Sequence, residues 1–461
     1  MAGGGEIFWV GEEVWQYLER VRSREGAGKR ETMAIPSTGS SQATAGSSGS
    51  ERYPAALAMV TVLFFFWGFV TVLNDILVPH LKSVFELNYT RVMLIQFAFF
   101  AAYFIFSIPS AKVIDAIGYK KTMVVGLLTM GLGAFLFVPA ASVASYPLFL
   151  GALMVLAAGI TALQVAANPY VAVLGPPETA SSRLNLTQAF NSLGTTIGPW
   201  IGGLLILGTS ENKEAGTNLS AAASQAFRVQ QAASVKIPYI VIGLALVVFA
   251  VLIGMFKLPA IPSVERHIDG RHEGSLWKYR HLILGCVGIF TYVGAEVSIG
   301  SFLINYFNQP EIGNLPEVQG AKLVAYYWGG AMVGRFIGSA ILQKVKTGTV
   351  LGIAALCTTT LVMTSMLTTG QVAMWSIILV GFFNSIMFPS IFTLGIAKLG
   401  PRTGDGSGLL VMAIVGGAII PVAQGAIADR IGVHHAFILP VICYLYIAYY
   451  AFRGSEPVGV E

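Results

Sequence analysis

Two carboxylates stand where the chain is otherwise apolar. Asp75 is the only charged residue between Pro54 and Pro79, and Glu296 lies mid-way along the apolar run Phe290–Tyr306, flanked by Gly294 and Gly300. A charged side chain inside a bilayer costs at least ~2.5–3.5 kcal/mol, so such groups face a cavity or a partner. Desolvation disfavours the charged form of a carboxylate. That suits a group that loads and releases a proton, and it makes Asp75 and Glu296 the candidate proton-coupling residues. Two other readings stay open. Asp75 is near the end of its run and could sit in interfacial water, and Glu296 could belong to a structural ion pair. Arg335 is a candidate partner for it, although it stands toward the inner end of its own run.

The second set of chemistry-bearing residues is a group of amides. The stretch 159–175 is apolar apart from Gln164, Asn168 and Pro169, and a spacing of four puts both amides on one face of a helix. The stretch 185–195 is another: Asn185, Gln188, Asn191 and Thr195 follow at steps of three, three and four. An unpaired polar group in an apolar medium costs roughly 2–7 kcal/mol, so these side chains need partners. Helix–helix hydrogen bonding is one answer. The other is a polyhydroxylated neutral ligand, because an amide both donates and accepts and so matches a hydroxyl that does the same. Gln164, Asn168, Gln188, Asn191, Glu296 and Asn384 are the candidate substrate-binding residues. Of the aromatics Trp67, Tyr170, Tyr292 and Tyr326-Tyr327-Trp328, Trp328 is the one singled out to lie against a sugar ring.

These residues recur. Pro169 answers Pro389 at an offset of 220, bringing Gln164 onto Asn384, Leu174 onto Leu394 and Gly175 onto Gly395. Pro199 and Gly203 answer Pro421 and Gly425 at 222, and Asp75, Phe69 and Val72 answer Glu296, Phe290 and Val293 at 221. Two repeated halves of apolar helices, with the site where they meet, are the build of many secondary transporters.

The elements that must position these groups are membrane helices. Apolar residues make up 55% and charged residues 11% of the chain, against roughly 25% charged in a soluble domain. Mean hydropathy is +0.70. Twelve apolar runs of about 20 residues, the length that spans a bilayer, fall near 54–78, 91–113, 121–141, 146–174, 184–208, 238–258, 281–307, 322–342, 349–368, 372–397, 407–428 and 434–453. The sequence therefore predicts an all-α integral membrane protein with twelve transmembrane helices in two pseudo-symmetric halves, 54–258 and 281–453. The net charge of +5 is a matter of loops and not of nucleic acid. With the N-terminus inside, 21 of the 28 Lys and Arg fall on the inner side; without the first 53 residues it is still 15 against 7. The positive-inside rule then sets both termini in the cytoplasm of a cell's inner membrane.

Residues 1–53 have no apolar core, and 35–50 have linker composition, so a disordered cytoplasmic tail is expected; Met33 is an alternative start of translation. Residues 219–234 are expected to lie along the outer interface, 259–280 form a basic cytoplasmic linker whose His267 and His272 read as solvated charge, and 454–461 form a short cytoplasmic tail. Cys286, Cys357 and Cys443 all fall within runs, without CxxC spacing, so neither disulfide nor metal nor any cofactor is expected.

The segment A111-K-V-I-D-A-I-G-Y-K-K121 resembles the loop between helices 2 and 3 of the major facilitator superfamily, with Asp115, Gly118, Lys120 and Lys121 in register, while Ala111 and Ala116 depart from it. Asp115, Gly118, Lys120 and Arg335 are the candidate gating residues. From about 54 to 453 the chain is similar to the fucose–proton symporter family of that superfamily, most of all to its bacterial glucose/galactose transporter branch. The likeness is carried by L73-N-D-I-L-V-P79, A166-A-N-P-Y-V-A-V-L-G175, Q188-A-F-N-S-L-G194, A295-E-V-S-I-G-S-F-L303 and N384-S-I-M-F-P389. The resemblance implies a two-domain fold, alternating access, and a proton-linked aspartate at Asp75. Gln164 stands where the fucose permease has a glutamate, so fucose specificity does not carry over. The expectation is a cation-coupled importer of a hexose, the cation being a proton, working as a monomer in the bilayer. The alternatives are a sugar or drug exporter of the same build and a non-transporting membrane sugar sensor. Amides on two helices speak against the broad apolar cavity of a drug exporter, the lack of a sizeable soluble domain against a sensor, and the lack of a nucleophile–base pair against an enzyme.

Overall fold

The structure is a computed structural model that describes residues 53–85, 89–202, 229–230, 233–259 and 275–457. The N-terminal tail, most of 219–234 and most of the linker 259–280 lie outside the described residues. Among the described residues twelve helical arms follow in order. They are α1 (Pro54–Phe85), α2 (89–117), α3 (119–142), α4 (Tyr146–Val173), α5 (Ala180–Gly202), α6 (Lys236–Met255), α7 (Arg280–Asn308), α8 (Glu317–Ile341), α9 (Thr347–Leu367), α10 (Gly370–Gly395), α11 (403–431) and α12 (433–454). No strand occurs among the described residues. In a bilayer core every backbone polar group must find a partner, and a helix meets that need within its own segment, which suits apolar runs of about 20 residues.

Two of the connections are single residues. The helical run Tyr89–Ser142 turns at Gly118 (φ 81°) and Gly416–Ala436 turns at Gly432 (φ 84°). Both glycines close the same local sequence, Asp-x-Ile-Gly, at 115–118 and 429–432. A side chain disfavours that left-handed backbone, and glycine does not. The run of 54 residues is thereby folded into two crossings; unfolded it would be roughly 80 Å long, far more than a bilayer.

Helix α6 shows how the bundle meets its solvent. Ile237, Val241, Leu244, Val248, Val251 and Met255 are all more than half exposed, at steps of four and three, while Tyr239, Ile242, Leu246, Phe249 and Ile253 are buried. In water that stripe would cost about 25 cal/mol for each Å² left exposed; against lipid tails it costs little. Helices α5 and α8 are less apolar because they carry the polar stripe and Arg335.

The two halves repeat at the level of packing. A Cβ added at Gly194 of α5 would lie 2.3 Å from the Phe65 carbonyl oxygen of α1, and one at Gly416 of α11 would lie 2.1 Å from that of Phe290 in α7. The first and fifth helices of each half therefore touch backbone to backbone, at positions 222 residues apart, as small residues allow in membrane bundles.

Several elements differ from the sequence expectation: α1 runs to Phe85 and not 78, α8 begins at Glu317 and not 322, and α11 begins at Thr403 and not 407. Helix α5 begins at Ala180 and not 184, so its first turn carries Ser181 and Ser182, whose hydroxyls bond to the other half. Helix α10 is interrupted at Ser385–Ile386, one turn before Pro389, whose ring clashes with the preceding turn and which has no N–H to give it.

Candidate functional site

Glu296 lies mid-helix on α7, half-buried, and its Oε1 accepts a hydrogen bond of 2.7 Å from Tyr292 one turn earlier. The same hydroxyl lies 3.1 Å from the Asn384 carbonyl oxygen, at the break of α10. Asn384 is wholly buried, and its Nδ2 donates to Tyr327 of α8 at 3.0 Å and to Tyr444 of α12 at 2.9 Å. Four helices thus meet in one carboxylate–phenol–amide network, with the Arg335 guanidinium within electrostatic reach of Glu296. Gly300, one turn beyond Glu296, lies against the Trp328 ring, which is 44% exposed.

The N-terminal half carries a simpler version. Gln164 of α4 donates from Nε2 to the Tyr103 hydroxyl of α2 at 2.7 Å. Gln164 and Asn384 are the pair related by 220 residues, and each gives its amide nitrogen to a tyrosine on the second helix of its half. Asn191 donates to the Phe64 carbonyl of α1 at 2.9 Å, beside the buried Trp67. Gln188 is buried on the next turn. Asn168 is fully buried, and neither its nitrogen nor its oxygen has a partner among the described residues. Asp75 is carried by α1 in a part whose side chains lie outside the described residues.

The halves are joined toward one end of the bundle, the end at which α1 begins, called the near end below. Ser182 of α5 donates to the Ser339 carbonyl of α8 at 2.7 Å and Ser339 returns the bond to Ser182 at 3.0 Å. Ser181 pairs with Thr393 of α10, at 2.5 Å, and Thr347 of α9 donates to it at 2.9 Å. Asn185 donates to the Arg335 carbonyl at 2.7 Å. The Arg335 side chain reaches back to the Gln188 carbonyl and the Ser192 hydroxyl. Gly404, in the first turn of α11, faces Ile114, Asp115 and Tyr119, so the Asp115 carboxylate sits by the positive end of that helix. Lys120 donates to the Gly254 carbonyl at 2.8 Å, at the C-terminal end of α6 where a cation is favoured.

The structure therefore brings Glu296, Asn384 and Arg335 together around α7, while Gln164 on α4 is held by α2 and Asn191 on α5 by α1, with Gln188 buried on α5. It places Asn185 and Arg335 at the seam between the halves, and Asp115, Gly118 and Lys120 at the near end. The residues that sequence reasoning misses are Tyr103, Tyr444 and the seam hydroxyls Ser181, Ser182, Ser339, Thr347 and Thr393, with Ser407 of α11, which donates to the Val165 carbonyl of α4 at 2.8 Å; Tyr292 and Tyr327 are visible there without a role. An amide–tyrosine pair on equivalent helices, Tyr103 answering Tyr327 at an offset of 224, is the signal that could have found them. Among the described residues no group of three or more His, Cys, Asp or Glu is placed to hold a metal ion.

Comparison with known proteins agrees on one family. The family model described as Major Facilitator Superfamily matches residues 56–420. The glucose/galactose transporter of Brucella abortus biovar 1 (strain 9-941) is 53% identical over 409 residues, covering 89% of this chain and 96% of the relative. The L-fucose-proton symporter of Escherichia coli (strain K12) is 35% identical over 421 residues, covering 88% of this chain and 94% of the relative. A crystal structure of the transporter FucP in the outward conformation superposes with a TM-score of 0.81 at 34% identity, covering 87% of this chain and 99% of that one.

Proposed function

The chain belongs to the Major Facilitator Superfamily, and from that premise we propose that it imports a hexose of the glucose or galactose kind by symport with a proton, through alternating access. The names of the relatives that match nearly end to end support both the sugar and the proton. The observation that carries the reading is Glu296, a half-buried carboxylate in the middle of a membrane helix, with a tyrosine hydroxyl on one oxygen and a tryptophan ring against Gly300 one turn away. A carboxylate so placed serves a sugar hydroxyl as acceptor and a proton as base.

In this reading Gln164, Gln188, Asn191, Glu296 and Trp328 face the sugar. Asn168 and Asn384 are fully buried and act from behind, Asn384 by holding Tyr327 and Tyr444. Asp75 and Glu296 carry the coupling proton. The near end is cytoplasmic, as the excess of Lys and Arg there favours, and the conformation described, joined at the near end, is the one that admits sugar from outside. Binding must favour one protonation state for coupling to follow. The functional unit in this reading is a single chain, because every residue it assigns to sugar and proton belongs to one chain.

The test is counterflow of labelled hexoses in proteoliposomes. Glucose or galactose loaded inside should drive uptake of the labelled sugar; a panel of hexoses that all fail to do so would refute the reading.

A further inference from the structure

Prolines lie inside the fourth helix of each half at symmetry-related positions, Pro169 in the continuous α4 and Pro389 just past the break of α10. A proline has no N–H, so the carbonyl four residues before it loses its helical partner. Those carbonyls are Val165 and Ser385. In a bilayer core an orphaned carbonyl needs another donor, and in both halves a residue at the seam supplies it. Ser407 of α11 donates to the Val165 oxygen at 2.8 Å, directly across the seam. Arg335 donates through Nε to the Ser385 oxygen at 3.3 Å, and its Nη1 crosses to the Gln188 carbonyl at 3.4 Å and to the Ser192 hydroxyl. Gly408, next to Ser407, lies against Ala111 and the Ser107 carbonyl of α2, so α11 comes close enough to the first half for the serine to reach α4.

We infer that Ser407 is a positioning residue of the transport cycle, closing the near end by docking on the carbonyl that Pro169 sets free, with Arg335 as its counterpart on the carbonyl freed by Pro389. This rests on the alternating-access reading above. A serine in an apolar helix ordinarily bonds back to its own helix, as Ser110 does to Phe106 at 2.6 Å. Ser407 gives its proton to the other half instead. The bond can exist only while the near end is closed. When the halves part there, the Val165 oxygen turns to water and Ser407 to its own helix. The share of Ser407 in the latch is therefore one neutral hydrogen bond among those at the seam, strong enough to bias the closed state and weak enough to release it on every cycle.

The test measures the near-end separation. Spin labels are placed at Glu178→Cys and Lys344→Cys, exposed positions of opposite halves, in a chain whose three cysteines are replaced by serine. Double electron–electron resonance then reads the closed and open populations in lipid nanodiscs. Ser407→Ala should raise the ratio of open to closed about fivefold, the equivalent of one net hydrogen bond, while Ser407→Thr, which keeps the hydroxyl, should match wild type. Pro169→Ala returns an N–H to the Val165 oxygen and should also favour opening. In that background Ser407→Ala should add nothing, since the acceptor it served is already satisfied. Wild-type populations in Ser407→Ala, or an undiminished effect of it beside Pro169→Ala, would overturn the latch and leave alternating access standing. A wild type that shows one separation at every sugar and proton concentration would overturn both.

Discussion

Tyr292 donates to Glu296 across one turn of α7, at 2.7 Å, while its oxygen also lies 3.1 Å from the Asn384 carbonyl. One hydroxyl proton serves two acceptors. An ionised Glu296 takes it; a protonated Glu296 can donate to the tyrosine oxygen, freeing the tyrosine proton for Asn384 at the break of α10. Tyr292 thus acts through Glu296. Tyr292→Phe and Glu296→Gln should each slow counterflow, and the double variant should be no slower than Glu296→Gln alone. Initial rates in proteoliposomes check this, and losses that simply multiply would show that the tyrosine acts independently.

The amides of the first half are predicted to bind the sugar. Gln164→Ala, Gln188→Ala and Asn191→Ala should each weaken binding by roughly 1–3 kcal/mol, the cost of a buried partner left unpaired. Tyr103→Phe should reproduce part of the Gln164 loss, because that amide is held by the Tyr103 hydroxyl. Isothermal titration with the purified variants is the measurement. Unchanged affinity in all of them would remove α4 and α5 from the site.

Stability should depend on the two backbone contacts between first and fifth helices. Gly194→Ala and Gly416→Ala add a methyl group within 2.3 Å of a carbonyl oxygen, so the helices must part, at a cost of about 1–3 kcal/mol or more. Gly151→Ala, where a Cβ meets nothing within 4 Å, is the control. Thermal unfolding in detergent should drop for the first two and hold for the third.

The helices and their repeat were legible in the sequence because each apolar run has to satisfy its own backbone in lipid. Asp75 and Glu296 stood out because a lone charge in such a run has few explanations. Tyrosines gave no such signal: Tyr103 and Tyr444 sit among many aromatics, and only the hydrogen bonds from Gln164 and Asn384 distinguish them. Seam serines were hidden for a related reason. Ser110 bonds back to its own helix and Ser407 bonds across the seam, and nothing in local sequence separates the two. The break of α10 at Ser385–Ile386 was not read from the sequence, where Pro389 served only to align the halves; at the break Tyr292 and Arg335 hold the freed carbonyls of Asn384 and Ser385.

The central claim is that a proton drives the sugar, and accumulation under an imposed pH gradient tests it most directly. Proteoliposomes made acid outside and neutral inside should concentrate labelled galactose or glucose above the outside level, and collapse of the gradient by a protonophore should release it. Asp75→Asn should bring the sugar only to equal concentration on both sides while keeping counterflow, because exchange needs no net proton movement. Accumulation by wild type that ignores the pH gradient and follows sodium would change the ion. Asp75→Asn and Glu296→Gln variants that both concentrate sugar as wild type does would contradict the account.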